Sequence, residues 1–249
     1  MLAPLVLVVV AVAVVVTSFI SGVFGMAGGM LLLGLLLLFM EVGPAMVLFG
    51  VIQLAANGWR SVLWWRHVAW NIVWRFLVGS TAMFFVMRTI AIFPGKAAIY
   101  LGLGLIPFAA YALPRRLSPD ITRPGVPYLC GAFIIVLQLL AGAAGHVLDI
   151  FFQKSPLDRR RIVGTKAVTQ VAGHVYRILY FGSFEVTFDT QVPAWGYAGA
   201  MVLACAGTSL AGLVLLRMSE AGFRAWSRRI TIGVALTYLV RGVWLLALP

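Results

Sequence analysis

Lys166, Gln170, His174 and Arg177 recur at i, i+4, i+8 and i+11 inside an apolar run. In a helix, at roughly 100° per residue, the four fall within roughly an 80° arc of one face. That face would carry two permanent cations, an amide and an imidazole. Cations and N–H donors bind oxyanions by charge-assisted hydrogen bonds, and imidazole titrates near neutral pH. Gln53, Asn57 and Arg60 repeat the spacing of Gln170, His174 and Arg177 and span roughly 60° of a second helix. Two such stripes can face a shared cavity. They also admit a plainer reading, in which polar side chains join neighbouring helices and cations near helix ends reach for the interface. Arg60 and Lys166, near expected helix ends, carry both readings, and Arg75 and Arg241 fit the interfacial one. Gln170 and His174 lie deeper and are read as lining the bundle.

Two glycine-rich breaks lie close in sequence to these stripes. Gly22, Gly25, Gly28 and Gly29 follow the first apolar run, and Gly142 and Gly145 follow the run beginning near Val126. Glycines four apart, such as Gly25 and Gly29, let two helices pack closely. Alternatively the helix is interrupted in mid-bilayer, and its exposed N–H groups and dipole end attract an anion. His146 and Asp149 come directly after the second break. An imidazole three residues from a carboxylate, beside unwound backbone, suits a proton or ion relay; the other reading is that the pair caps a short helical arm.

The elements that must hold these residues are membrane helices. Of the 249 residues, 62% are hydrophobic and only 10% are charged, with a mean hydropathy of +1.02. A soluble domain is about 25% charged, so this chain cannot cover a water-facing surface. Apolar runs fall at about Leu2–Ile20, Met30–Met40, Ala45–Leu63, Asn71–Met87, Ala97–Leu113, Val126–Ala144, Val163–Phe181, Ala194–Leu216 and Ile230–Leu248. The expectation is an all-α polytopic bundle of about eight to ten transmembrane or re-entrant helices. The first run has no basic residue before it and reads as retained helix rather than a cleaved signal.

The repeated polar triplet and glycine pairs divide this single domain, 1–249, into two diverged repeats, about 1–113 and 127–249, joined by a basic, proline-containing loop at 114–126. The loop after the first triplet carries Arg60, Arg66 and His67, and the loop after the second carries Glu185 and Asp189. Opposite charge on equivalent loops is the mark of inverted repeats under the positive-inside rule. The inverted reading puts Gly43 outside and Ser118 inside; a parallel arrangement with a different crossing number is the alternative.

Several function classes are excluded. The net charge of +12 lies mostly in short segments between apolar runs, as the positive-inside rule requires, and no nucleic-acid module is present. Cys130 and Cys205 sit in apolar runs and suggest neither disulfide nor metal site. No P-loop, G-x-S-x-G, HExxH or zinc-ligand spacing occurs, and no cofactor is implied.

The chain resembles the TauE/SafE sulfite exporter family, also called toluene sulfonate uptake permeases. Gly25-Met26-Ala27-Gly28-Gly29 with Gly34 follows the family's G-x-G-G-G signature, with Ala27 at a usual glycine and Gly34 at a usual proline. In the second half Leu148–Phe152, Ser155, Leu157-Asp158-Arg159, Thr165–Gln170, His174 and Tyr180-Phe181-Gly182 resemble a subgroup of the family, and the likeness extends through Gly207-Thr208 to Arg217. The resemblance implies a multi-pass transporter of the bacterial inner membrane that moves sulfite, sulfonates or related small anions, possibly with protons as the coupling ion. With the residue reading this gives an expected binding set of Gly25, Gly28, Gly29, Gln53, Asn57, Gly145, Lys166, Gln170, His174 and Arg177. His146, Asp149 or His174 would carry the coupled proton. The expected partners are the small anion and membrane lipid. The rival readings are an intramembrane enzyme using His146, Asp149 and His174, and a non-transporting scaffold or receptor subunit.

Overall fold

The structure is a computed structural model that describes residues 4–24, 27–142, 144–184, 192–215 and 220–247. Among these residues there are ten α-helices and no strand: α1 Pro4–Phe24, α2 Ala27–Phe39, α3 Val42–Leu63, α4 Trp70–Ile90, α5 Lys96–Ala112, α6 Val126–Leu140, α7 Gly145–Phe152, α8 Arg159–Phe184, α9 Ala194–Leu215 and α10 Glu220–Ala247. Within α1, α3, α4, α9 and α10 lie stretches long and apolar enough to cross a membrane. Side chains that face outward are apolar, as with Leu129 and Val240, at 69% and 71% exposure, while Arg177 is fully buried. This inverts the pattern of a soluble protein and suits a lipid solvent.

Two boundaries differ from the sequence reading. The eight residues of α7 form a helix of their own, where the sequence suggests only a short polar arm. Its segment GHVLDIFF is mostly apolar and too short for a periodicity to register. Helix α2 starts at Ala27, so Gly28 and Gly29 lie in its first turn and are not unwound. Their N–H groups still belong to the helix start, where no intrahelical carbonyl is available to them.

Helices α6 and α7 make a hairpin that returns to the face it left, for the Ile121 N–H, just before α6, donates to the Phe151 carbonyl at 2.9 Å. On that face the Ala69 N–H donates to Thr165 Oγ1 at 2.9 Å, and Lys154 Nζ donates to the Arg116 carbonyl at 2.7 Å. Arg66, Arg116, Arg123, Lys154 and Arg159 to Arg161 gather there, and it is called the basic face below. Asp158 caps the start of α8. Its Oδ1 accepts from the Arg161 N–H at 3.0 Å, and this bond holds its carboxyl below the usual aspartate range. On the opposite face Arg88 Nη1 donates to Ser183 Oγ at 2.9 Å, and Lys96 pairs with Glu41 at 2.9 Å.

The principal packing partners are α1 with α9, α4 with α6, α3 with α8 and α5 with α10. Glycines set the closest approaches. A Cβ on Gly131 of α6 would lie 2.1 Å from the Phe76 carbonyl oxygen of α4, and one on Gly207 of α9 would lie 2.5 Å from the Val15 carbonyl oxygen of α1. Small residues at these points bring backbones together where lipid offers no hydrophobic drive for association.

Candidate functional site

The stripes of α3 and α8 do face one cavity. Its volume is about 30 Å³, and its lining includes Ser21 of α1, Gly29 and Met30 of α2, Phe49, Gln53 and Asn57 of α3, Gln138 of α6, Gly142, Gly145 and His146 at and after the α6–α7 break, and Gln170, His174 and Arg177 of α8. That is room for about two waters.

Arg177 is the centre of the network. Its Nη2 donates to the carbonyls of Gln138 at 2.9 Å and Gly142 at 2.6 Å. The Gln138 carbonyl is among the last four of α6, which have no intrahelical donor and form the negative dipole end, and the Gly142 carbonyl lies two residues beyond the helix, in the break. Arg177 therefore caps the broken helix in mid-bilayer. Its Nη1 lies 3.0 Å from His174 Nδ1, and its guanidinium carbon lies 4.8 Å from the centroid of the Phe49 ring. A guanidinium only donates, so this contact is a hydrogen bond when Nδ1 is the accepting nitrogen, and Nε2 then carries the ring proton and makes no hydrogen bond to a donor. That nitrogen is 3.4 Å from Asn57 Nδ2. Asn57 Nδ2 in turn donates to the Gln53 carbonyl at 3.0 Å. Arg177 Nε is buried and has no hydrogen-bond partner. Among the described residues no carboxylate pairs with Arg177.

Arg60 does the matching work in the first half. Its Nη2 donates to the Ser21 carbonyl, in the last turn of α1, at 3.3 Å, and its Nη1 donates to Asn57 Oδ1 at 3.4 Å. Of its two sequence readings, the inward one describes this side chain.

The remaining expected site residues divide. Gly29 and Gly145 line the cavity from the first turns of α2 and α7, whose positive dipole ends suit an anion. Gly28 does not line it. A Cβ there would lie 2.0 Å from the Thr17 carbonyl oxygen, which makes Gly28 the contact between α1 and α2. Gly25 lies outside the described residues. His146 lines the cavity with its Nε2 3.3 Å from Met30 Sδ. Lys166 and Asp149 stand apart from the lining and form an ion pair between α8 and α7. Ser21, Met30, Phe49, Gln138 and Gly142 were not among the expected residues. Gln138 had a legible signal, a lone amide in an apolar run; its Nε2 donates to Gln170 Oε1 at 3.2 Å.

Electrostatically the site is a cluster of donors with a buried cation and two helix starts. It suits an acceptor-rich anion. Among the described residues no group of three metal-ligating side chains occurs.

The family model described as "Sulfite exporter TauE/SafE" matches residues 9–238. No curated relative and no solved structure matches the chain. A match over nearly the whole length, on a multi-pass bundle, makes the protein a membrane transporter, and the chain belongs to the TauE/SafE sulfite exporter family.

Proposed function

We propose that the protein is a secondary transporter of small sulfur-containing or organic anions, the sulfite and sulfonate class, coupled to protons and working by alternating access. The observation that carries this reading is Arg177, a fully buried cation with no carboxylate partner among the described residues and an unpartnered Nε, at a cavity where other donors converge. An oxyanion satisfies such donors better than any neutral ligand. Gln53, Asn57, Gln170, His174 and the N–H groups of Gly29 and Gly145 complete the binding set, and Lys166 adds a second cation one turn away. His146, Asp149 or His174 carries the proton.

The two-repeat reading is part of the proposal. Asn57 and His174 are 117 residues apart. The same separation relates Gln53 to Gln170, Arg60 to Arg177, Ser21 to Gln138 and Gly28 to Gly145. In both halves the arginine donates to the carbonyl of the matched residue, Ser21 or Gln138. Exchanging the halves also exchanges the packed pair α1–α9 with α6–α4 and returns α3–α8 and α5–α10 to themselves. The α6–α7 hairpin starts from the basic face while α3 ends there, and α8 starts there, which supports the inverted sense. By the positive-inside rule the basic face is cytoplasmic in a bacterial inner membrane.

Orientation has a direct check. Ser118 is buried, so cysteine at exposed Leu117 on the basic side and at Gly95, where a side chain meets open space, serves better. An impermeant maleimide is expected to label Gly95→Cys on intact cells and Leu117→Cys only after permeabilisation; the reverse pattern overturns the orientation.

Function is tested by sulfite flux in proteoliposomes under an imposed pH gradient. Wild type is expected to move sulfite in a gradient-dependent way. His174→Ala and Lys166→Ala, matched for expression, are expected to lose about tenfold or more, the consequence of about 1.4 kcal/mol of lost stabilisation. Variants with wild-type flux would remove both residues from the site.

A further inference from the structure

Resting on the anion-transport reading, alternating access requires that the cavity be reached from each side in turn, and the residues flanking it on each side differ in kind. Lys166 lies one turn before Gln170 on α8, and Asp149 lies one turn beyond Gly145 on α7. Both steps lead from the cavity toward the basic face, where α8 begins and α7 ends. The side chains of Lys166 and Asp149 are 20% and 43% exposed. Behind them Gln170 and His174 are only 6% and 4% exposed. The ion pair thus lies between the cavity and the basic face, and burial deepens from it toward the cavity.

The separation of 117 residues matches Lys166 with Phe49 and Asp149 with Leu32. Phe49 lies one turn before Gln53, on the side of the cavity away from the basic face. It is buried, with its ring edge-on to His174 at 5.8 Å between centroids and beneath the Arg177 guanidinium. Leu32 is fully buried. At matched places on the two sides of the cavity stand an ion pair, toward the basic face, and buried apolar side chains, away from it.

We propose that Lys166 and Asp149 form the gate on the basic face, through which the anion passes by taking the place of the Asp149 carboxylate on Lys166, and that Phe49 is the gate on the opposite face. The chemistry favours exchange. A carboxylate and a sulfur oxyanion are the same class of ligand for an ammonium group. An ammonium left unpaired in a low-dielectric setting is expensive, and substitution of one anion for the other keeps Lys166 paired throughout. No such exchange is available at Phe49, whose ring must swing away from Arg177. The two sides of the protein thereby differ in what opens them: anion binding on the basic face, and motion of an aromatic side chain on the other.

The test reads accessibility and does not depend on flux. Ser21→Cys, a cavity position, is placed in a background with Cys130→Ser and Cys205→Ser. It is treated with a small impermeant methanethiosulfonate in membrane vesicles of either orientation. Asp149→Asn is expected to raise labelling from the basic face by about tenfold or more and leave the opposite face unchanged; Phe49→Ala is expected to do the converse. The double exchange Lys166→Asp with Asp149→Lys restores the pair and is expected to return labelling to the parental rate, which also covers the case in which a single variant folds poorly. Unchanged sidedness in both single variants, or opening of the same face by both, overturns the gate assignment. Sided opening in a protein that moves no sulfite, sulfonate or carboxylate would leave the gates standing and remove the anion-transport reading instead.

Discussion

Arg177→Ala is expected to abolish sulfite transport and to destabilise the fold as well. The guanidinium is fully buried and is the donor to the carbonyls of Gln138, in the last turn of α6, and Gly142, in the break just beyond it. Removing it takes their donor from both buried carbonyls, at about 1–3 kcal/mol for each group left unpaired. It also takes away the charge on which the anion reading depends. Thermal unfolding of the purified protein should therefore shift downward, and flux should fall about 100-fold or more, the result of about 2.7 kcal/mol of lost binding or transition-state stabilisation. Arg177→Lys separates the two roles. It keeps the charge but cannot reproduce a planar fork that reaches His174 and two carbonyls together. It should retain more of the fold than the alanine variant while remaining poor in flux. An alanine variant with full stability and near-normal flux would contradict both roles.

Gly28→Ala is expected to damage the fold severely although it lies outside the polar network. The added methyl would lie 2.0 Å from the Thr17 carbonyl oxygen and 2.4 Å from the Ser21 nitrogen. Both atoms are backbone of α1, so relief requires parting the α1–α2 hairpin. Overpacking of this kind costs about 1–3 kcal/mol and more when backbone must move. The neighbouring Gly29→Ala behaves differently. Its methyl would meet the Gln53 Nε2 at 3.1 Å, the end of a flexible side chain that can give a few tenths of an ångström. Gly28→Ala should lower yield and the unfolding temperature with little protein left to assay, whereas Gly29→Ala should fold and lose flux. Equal stability of the two would contradict the packing role given to Gly28.

Much of the site could be read from the chain because helical spacing survives in an apolar background. Gln53, Asn57 and Arg60, and Gln170, His174 and Arg177, stand out at i, i+4 and i+7, and the structure brings all of them but Arg60 to the lining of one cavity. Helix α7 was not legible as a separate element, since eight mostly apolar residues after a glycine carry no period. The capping by Arg177 was hidden for another reason: its acceptors lie 35 and 39 residues away, and only the fold brings the end of α6 to it. The pairing of Lys166 with Asp149 is of the same kind, a contact across two helices 17 residues apart. The glycines had two readings in sequence, and neighbours distinguish them: Gly28 faces backbone, and Gly29 faces a side chain at the cavity. Lone polar residues such as Gln138 deserved more weight than periodicity gave them.

The central claim is that a cavity built from both halves binds a small anion and is exposed to one side at a time. Solute counterflow tests it most directly. Proteoliposomes loaded with unlabelled sulfite and diluted into a trace of labelled sulfite should show a transient overshoot of label inside, because an alternating carrier exchanges one anion for the other. The overshoot should disappear in Arg177→Lys. Absence of an overshoot with wild type, for sulfite and for a panel of small sulfonates and carboxylates, would contradict the account.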